Sequence, residues 1–301
     1  DSSLHGGVIA LIEQLYRTLE YKYGKELVRV ALAFLTFSVK GVTDIEMEDL
    51  LSLDDVVLDK VFQYVTPTVR RLPSHVWQRL KNAMDGLITE GEHGCILWFH
   101  RQLRETAERW FATEKAGVHA LMAKYFGNLV NQDIRVQRQI STHEWTIQGH
   151  PFDKTSSVVN SRRCIEASYH LIQSGDFSQM EDELCDFEGI CSKIRIGEGF
   201  QLVRDLGEVF NKIDESTIEN KNTAENNEDS ETNLSRQRVH HYWRWLRQDI
   251  HRLAEDSVSQ FSFSASEQPK ISIVRKDIYA LLDKIRKRIC LYTFTRGITI
   301  G

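Results

Sequence analysis

The histidines, glycines and cysteines of this chain are the residues whose types could support chemistry, and their spacing matches no catalytic motif. Gly24-Lys25 is followed by Glu26 and lacks the earlier glycine of G-x-x-x-x-G-K-[ST], so the sequence has no phosphate-binding loop of that type. It contains neither H-E-x-x-H nor G-x-S-x-G. His240 and His241 are adjacent and would point about 100° apart on a helix, which does not suit a shared metal ion. We therefore predict that this chain is not an enzyme and holds no metal or cofactor of its own.

His100, Cys164 and His170 are the further residues whose types could support catalysis. His100 lies where a predicted strand passes into a helix, and a packed or capping role is favoured over that of a general base. Cys164 and His170 are six residues apart, and catalysis by them would need a fold-specific arrangement that the sequence does not reveal.

The elements that would position these residues are clearest between residues 25 and 126. The stretch from Lys25 to Val39 is almost continuously apolar, which predicts a helix buried on most sides and ended by Gly41. Thr43 has Glu46 three residues on, the spacing of a capping box. Ser52 and Asp55 repeat this spacing more weakly before another helix. The clustered acids of this region are assigned to an exposed face; they are Glu46, Glu48 and Asp49.

A further helix and a hairpin complete this pattern. Ser74 opens a helix that runs to about Leu87. Two apolar stretches, Leu87–Thr89 and Cys95–Phe99, then flank a five-residue turn that contains Gly91 and Gly94, which predicts a β-hairpin. The order helix, helix, helix, hairpin is typical of a winged helix.

The rest of the chain is predicted to be helical, so the fold class is mainly α: a winged-helix unit with a small β-hairpin, followed by an α-hairpin or helical bundle region. An amphipathic stripe from Val118 to Val130 is followed by an irregular stretch, Asn131 to Asn160, and then by further helices. The predicted domains are a linker helix (1–23), a winged-helix-like domain with trailing helices (24–130), an α-hairpin domain (131–212), a disordered acidic linker (213–236) and an incomplete helical segment (237–301).

Charge and composition support this organisation. The net charge of −5 arises largely from the segment Ile213 to Arg236, which has seven acidic residues and almost no apolar ones. No apolar run is long enough to span a membrane. Five scattered cysteines without C-x-x-C spacing fit reduced thiols, so we expect a cytoplasmic protein. Because the chain begins at Asp1 and not at Met, we expect it to be a piece of a longer protein.

Several spaced patterns together resemble a known family. They are Gly41-Val42-Thr43 to Leu53-Asp54-Asp55, Pro73-x-x-x-Trp77-x-x-Leu80, Phe99-His100-Arg101-Gln102, the His119 to Phe126 helix, Arg163 to Gly175, and Trp245-Leu246-Arg247-x-x-x-His251-x-Leu253. They resemble the winged-helix and helical region that follows the nucleotide-binding module in STAND-class P-loop NTPases. The nearest type is the NACHT proteins with WD40 or similar C-terminal repeats, including telomerase-associated and nephrocystin-like chains.

The resemblance implies a non-catalytic arm of a nucleotide-regulated signalling or scaffold protein. Its partners would be an upstream ATP- or GTP-binding domain and downstream protein-interaction repeats of the same polypeptide. His100 is the one candidate for contact with a nucleotide phosphate in such a parent protein. The chain departs from the family pattern at 214–235, which looks like an insertion, and at 271–301, which does not resemble a WD40 blade.

Two alternatives remain open from the residues alone. A DNA-binding winged helix would insert the Ser74–Leu87 helix into the major groove, but Glu90 and Glu92 on the wing would repel phosphates, so nucleic acid is not the expected partner. Cations and polar groups on or before that helix give this alternative its support; they are Arg70, Arg71, His75, Gln78, Arg79, Lys81 and Asn82. The other alternative is a free-standing helical adaptor that binds a peptide in an exposed apolar groove within residues 160–210.

Overall fold

The computed structural model describes residues 2–64, 67–148, 157–175, 179, 183–184, 186–205, 207–208, 248–249 and 251–252. This part of the chain is mainly helical with two small antiparallel hairpins, which confirms the predicted helical class. No helix in these ranges is both long and apolar enough to cross a bilayer. The predicted acidic linker at 213–236 and most of the helical segment at 237–301 lie outside the described residues.

The described residues fall into two units. The first contains the chain up to His143 and also Tyr169–Ser174; the second contains Glu144–Ser168 and the described residues from Gly175 onward. The elements that lie wholly in the first unit are α1 (Ser2–Tyr23), α2 (Lys25–Phe37), α3 (Asp44–Leu53), α4 (Asp55–Val61), α5 (Ser74–Ala83), β1 (Ile88–Glu90), β2 (Ile96–Trp98), α6 (Arg101–Trp110), α7 (Lys115–Phe126) and α8 (Gln132–Arg138). The later elements are β3 (Thr146–Gln148), β4 (Ser157–Val159), α9 (Ser161–Ser174), α10 (Phe187–Arg195) and the helical residues 199–205.

Helix α2 is the centre of the first unit. Nine of its side chains are buried, as its nearly continuous apolar sequence predicted; they are Leu27, Val28, Ala31, Leu32, Ala33, Phe34, Leu35, Thr36 and Phe37. Helix α1, expected to be a linker, packs against α2 and α6. It buries Ile12, Tyr16 and Leu19, and the Tyr16 hydroxyl donates a hydrogen bond of 2.8 Å to the Leu103 carbonyl. Helix α1 is therefore part of the packed unit.

The caps of α3 and α4 show how local sequence sets the helix boundaries. The Glu46 amide donates to Thr43 Oγ1 at 3.2 Å, and the Thr43 amide donates to the Glu46 carboxylate at 2.9 Å, so the predicted capping box is confirmed. The second cap was assigned wrongly. Asp54, and not Ser52, accepts the bond that caps α4, from the Val57 amide at 3.0 Å.

Gly41 has a different role from the one expected of it. Helix α2 already ends at Phe37, so Gly41 does not stop the helix. It has φ of +81°, and a Cβ there would lie 2.3 Å from the Ile96 carbonyl oxygen. Val42 then pairs with Ile96 through reciprocal backbone hydrogen bonds of 3.2 and 2.9 Å. Glycine at this position allows the segment before α3 to reach the hairpin.

The first hairpin is where the sequence predicted it. Strands β1 and β2 pair antiparallel with Ile88 opposite Trp98 and Glu90 opposite Ile96. The turn contains a short 3-10 helix, Glu92–Gly94. On the inner side the Trp98 indole donates to Thr36 Oγ1 at 3.1 Å, which fixes the hairpin to α2.

Two expectations for the middle of the chain were wrong. The stripe from Val118 to Val130 is not one amphipathic helix: α7 ends at Phe126 and buries residues on most of its circumference. The stretch 131–160 is not simply irregular, since it contains α8 and the hairpin β3–β4, in which Ile147 pairs with Val158. Ile147 and Val158 are both exposed, so neither strand has the clear alternation of buried and exposed residues that would have revealed it.

The second unit is built around Trp145. Gly189 of α10 lies against this ring, where an added Cβ would be 2.5 Å from it. The Arg163 guanidinium lies over the ring at 3.9 Å and pairs with Glu183 at 3.0 Å. The Trp145 indole nitrogen bonds Asp186, which also caps α10 by accepting from the Glu188 amide at 3.0 Å.

Candidate functional site

His100, the single site residue predicted from the sequence, caps helix α6. It is exposed, and its Nδ1 accepts a hydrogen bond of 3.3 Å from the Gln102 amide. This agrees with the capping role favoured from the sequence. The residue lies between β2 and α6, so its position is fixed by the hairpin on one side and by the helix on the other.

A cleft of about 380 Å³ lies beside the first hairpin, and a smaller one of about 250 Å³ adjoins His100. The smaller cleft is lined by Leu35, Ser38, Leu97, Trp98, His100, Arg101 and Arg104. Its two arginines each pair with an exposed carboxylate one helical turn along α6: Arg101 with Glu105 at 2.6 Å and Arg104 with Glu108 at 3.1 Å. Such exposed pairs are weak, so both guanidiniums can turn toward an anion at small cost.

The acidic cluster of α3 is not on an exposed face, and this prediction was wrong. Asp49 is fully buried and Glu46 is 6% exposed. The Asp49 carboxylate accepts hydrogen bonds from the Tyr125 hydroxyl at 2.9 Å, from the Ser141 amide at 3.0 Å, and from the Arg71 guanidinium. Burial, together with the proximity of Asp49, raises the pKa of the Tyr125 hydroxyl well above its ordinary value. Asp49 thus joins three distant parts of the chain.

Residues 128–143, here called the strap, pass over α3 and α4 and are held by charged side chains. Arg138 donates to the Ser52 carbonyl at 3.0 Å and to Asp55 at 2.8 Å, and Arg71 donates to the Gln139 carbonyl at 2.9 Å. Two non-glycine residues of the strap have positive φ, Asn128 at 61° and Gln139 at 54°. Side-chain hydrogen bonds therefore hold the strap in a backbone path that is costly for L-residues.

A pair of buried histidines was also missed. His119 Nδ1 and His170 Nδ1 are 2.7 Å apart, so one ring donates and the other accepts. Phe37, Tyr169 and Phe126 surround the pair. Burial, together with the neighbouring His170 and Lys115, lowers the pKa of His119 to about 3. The amphipathic stripe in the sequence marked His119 only as a helix residue, and nothing local indicated its partner 51 residues away.

Cys164, which lies six residues before His170 in the sequence, is not activated as a nucleophile. Burial raises the pKa of the Cys164 thiol to about 11, so the thiolate is strongly disfavoured. Lys193 Nζ, itself buried, donates to the Cys164 carbonyl at 2.8 Å and to Ser168 Oγ at 2.5 Å. Within the described ranges, no group of three or more histidines, cysteines or acids could hold a metal ion.

The surface that a DNA-binding protein would use has much of its positive charge neutralised. Arg70 pairs with Asp55 and Asp59, and Arg71 pairs with Asp49. Lys81 on α5 bonds Asp44 at 2.7 Å, and the Trp77 indole donates to the same carboxylate at 2.6 Å. These contacts keep the pKa of Asp44 below its ordinary value despite partial burial. Glu90 and Glu92 are exposed on the hairpin.

A peptide-binding groove finds little support between residues 160 and 208. Among the described residues of that range, one large hydrophobic side chain is exposed: Phe200, at 40%. Leu171, Ile190, Leu202 and their apolar neighbours are buried.

Comparison with known proteins gives relatives of one kind. The chain is 25% identical over 259 residues to NACHT and WD repeat domain-containing protein 2 of Mus musculus, a match that covers 72% of this chain and 15% of the relative. It is 24% identical over 259 residues to the Homo sapiens protein of the same name. It is 28% identical over 207 residues to NACHT domain- and WD repeat-containing protein 1 of Mus musculus, covering 64% of this chain and 13% of the relative.

No protein-family model and no solved structure matches the chain. The chain spans only 15% or less of the length of these relatives. Their identity to it supports a NACHT-associated relationship, as the resemblance in the sequence implied.

Proposed function

We propose that this chain is a non-catalytic arm of a longer, nucleotide-regulated scaffold protein. It would couple an upstream ATP- or GTP-binding module to downstream protein-interaction repeats. The proposal rests on the sequence identity of 25% and 28% between this chain and proteins whose names contain both a NACHT domain and WD repeats. The buried polar contacts of the first unit support a mechanical role, since they join distant parts of the chain.

The proposal includes a winged helix within the first unit. The order α2, Val42, α3, α5, β1, β2 is helix, strand, helix, helix, strand, strand, with α4 inserted after α3. The Val42–Ile96 bridge adds a third strand position to the hairpin, beside β2. This arrangement supports a winged helix whose hairpin is fixed to α2, and hence a rigid body able to transmit movement.

We assign His100 the role of contacting a nucleotide phosphate in the longer protein. Three features support this: the exposure of the ring, the adjacent cleft with Arg101 and Arg104, and the position at the beginning of α6, where backbone amides favour an anion. The nucleotide itself would be bound mainly by the upstream module, since this chain has no G-x-x-x-x-G-K-[ST].

The strap is the element that we expect to carry the coupling. It leads directly from α7 to the second unit, and arginines hold it beside the buried Asp49 and the exposed Asp55. Contacts of this kind have discrete alternatives, because a guanidinium can exchange one carboxylate for another. We place the protein in the cytoplasm, where its scattered thiols would remain reduced.

The test uses the full-length protein that contains this chain. His100→Ala should weaken binding of ATP or GTP by roughly tenfold, the effect of losing one hydrogen bond to a charged group. His93→Ala on the exposed turn of the hairpin is the matched control and should leave the dissociation constant unchanged. Equal affinity of wild type and His100→Ala would remove the role given to His100. Hydrolysis of ATP or GTP by the isolated chain would contradict the non-catalytic assignment.

A further inference from the structure

Ser74 is exposed and lies next to the charged residues that hold the strap. It is the first residue of α5, and its hydroxyl donates a hydrogen bond of 2.9 Å to Glu48 Oε2. Arg71 stands three residues before it and Arg70 four, both in the stretch 67–73, which has no regular secondary structure.

Arg71 connects Ser74 to the strap through shared partners. Its guanidinium lies 3.7 Å from the same Glu48 Oε2 that accepts from Ser74. It also binds the buried Asp49 and donates to the Gln139 carbonyl at 2.9 Å. Glu48 Oε2 therefore links the Ser74 hydroxyl to Arg71, the cation that holds the strap.

We infer that Ser74 is phosphorylated by a protein kinase that selects arginine three residues before the acceptor, and that the phosphate releases the strap. In this step Ser74 Oγ forms a bond to the γ-phosphorus of ATP, and the bond from that phosphorus to the leaving oxygen of ADP breaks. The serine proton passes to the carboxylate base of the kinase. Kinases discriminate substrates by charge pattern, and a cation at this position meets that requirement.

The phosphate changes the local interactions in two ways. It removes the hydroxyl donor and places a charge of about −2 beside Glu48, so the two repel each other. It also offers three strong acceptors to the Arg71 guanidinium, which forms bidentate contacts with phosphate. The second effect draws Arg71 away from Asp49 and Gln139, and the first weakens the hold of Glu48 on this region. The strap is then left without the contact that holds its Gln139 carbonyl.

Ser141 provides a contrast within the same chain. It also has an arginine three residues before it, Arg138, and its side chain is exposed. The Arg138 side chain is only 7% exposed and is bound to the Ser52 carbonyl and Asp55, whereas the Arg71 side chain is 20% exposed and lies in an irregular segment. Because the Arg138 guanidinium is the more deeply buried of the two, it is less accessible to a kinase, so we expect Ser141 to be a far poorer acceptor.

The test treats the purified 301-residue chain with ATP, Mg²⁺ and the catalytic subunit of an arginine-directed serine kinase. Mass spectrometry locates the phosphate, and hydrogen exchange of the strap is compared before and after. We expect phosphate at Ser74 and at least about tenfold faster exchange of the Ser141 amide, the effect of losing one charge-assisted hydrogen bond. Exchange within α2 should stay unchanged.

Two variants show whether the phosphate is on Ser74 or on Ser141. Ser74→Ala should abolish the incorporation and leave the exchange of the strap within about twofold of wild type, because an exposed hydrogen bond contributes little. Ser141→Ala should be phosphorylated as wild type is. Failure to phosphorylate Ser74 would overturn the inference, and so would phosphate at Ser74 with unchanged exchange of the strap.

Discussion

Asp49 and His119 show which kind of buried polar residue the sequence could not predict. Both are buried polar groups whose partners are remote: Tyr125 is 76 residues from Asp49, and His170 is 51 residues from His119. Nothing in the local pattern distinguishes Asp49 from the acids beside it, so the sequence assigned it to an exposed face. His100 is the opposite case, because its cap is made within two residues and local sequence indicated it.

Asp49→Asn should destabilise the first unit. The substitution removes the charge that pairs with Arg71 while preserving the size of the side chain, and breaking one partner of a buried ion pair typically costs about 3 kcal/mol. Urea unfolding of the purified variant measures this cost. Glu105→Gln on the exposed face of α6 is the control and should cost about 0.5 kcal/mol or less. Equal stability of the two variants would show that Asp49 does not join these elements.

The buried histidine pair should make folding sensitive to acid. The pKa of His119 is lowered to about 3 in the folded protein, against an ordinary value of 6.5. Its contribution to stability is therefore fully present above pH 6.5 and is lost as the pH falls toward 3. Below about pH 6 the free energy of unfolding should fall by up to about 1.4 kcal/mol per pH unit from this group.

His119→Asn, measured by urea unfolding at several pH values, should flatten this slope, since the amide can replace Nδ1 in the hydrogen bond but does not titrate. His75→Asn alters an exposed ring on α5 and should leave the slope as it is in wild type. A steep acid slope that persists in His119→Asn would refute the assignment.

At the scale of elements, the sequence predicted those whose signals are local. The capping box at Thr43, the burial of α2 and the first hairpin follow from short patterns, and all three are confirmed. The hairpin β3–β4 and helix α8 were missed. Helix α8 has seven residues and buries two arginines, Arg135 and Arg138, in place of an apolar stripe, so no helical periodicity marked it.

Gly41→Ala tests the bridge between Val42 and the hairpin. The new Cβ would meet the Ile96 carbonyl at 2.3 Å, and the positive φ adds about 1–2 kcal/mol, so we expect a total cost above about 2 kcal/mol. Gly86→Ala has a similar φ of +79° but no neighbour within 4 Å, and it should cost only about 1 kcal/mol. Thermal unfolding of both variants measures the difference. Equal losses would show that the bridge is not needed.

At the scale of the whole molecule, the charges lead us to expect no tight binding of nucleic acid. The net charge of −5 comes from the segment 213–236, so the rest of the chain carries no excess of positive charge, and Arg70, Arg71 and Lys81 are held by carboxylates. Tight DNA binding typically uses six or more phosphate contacts. Composition shows only the balance of charges, whereas the structure shows which cations are paired.

A mobility-shift experiment checks this expectation. The chain should not shift arbitrary duplex DNA even at about 50 mM salt, where phosphate contacts are strong. Removing the exposed wing carboxylates with the double variant Glu90→Gln, Glu92→Gln should not create binding, because α5 and the preceding loop hold four arginines and lysines, and Arg70, Arg71 and Lys81 remain paired. A shift that weakens steeply with salt would restore the DNA-binding alternative.

The proposed coupling role predicts that the strap responds to a nucleotide bound mainly by the upstream module. The most direct measurement is hydrogen exchange of the full-length protein with and without ATP or GTP, followed at the beginning of α6 and in the strap. The account predicts that nucleotide changes the exchange of both segments, and that Asp49→Asn abolishes the response of the strap while nucleotide still binds. Bound nucleotide with unchanged exchange in both segments would contradict it.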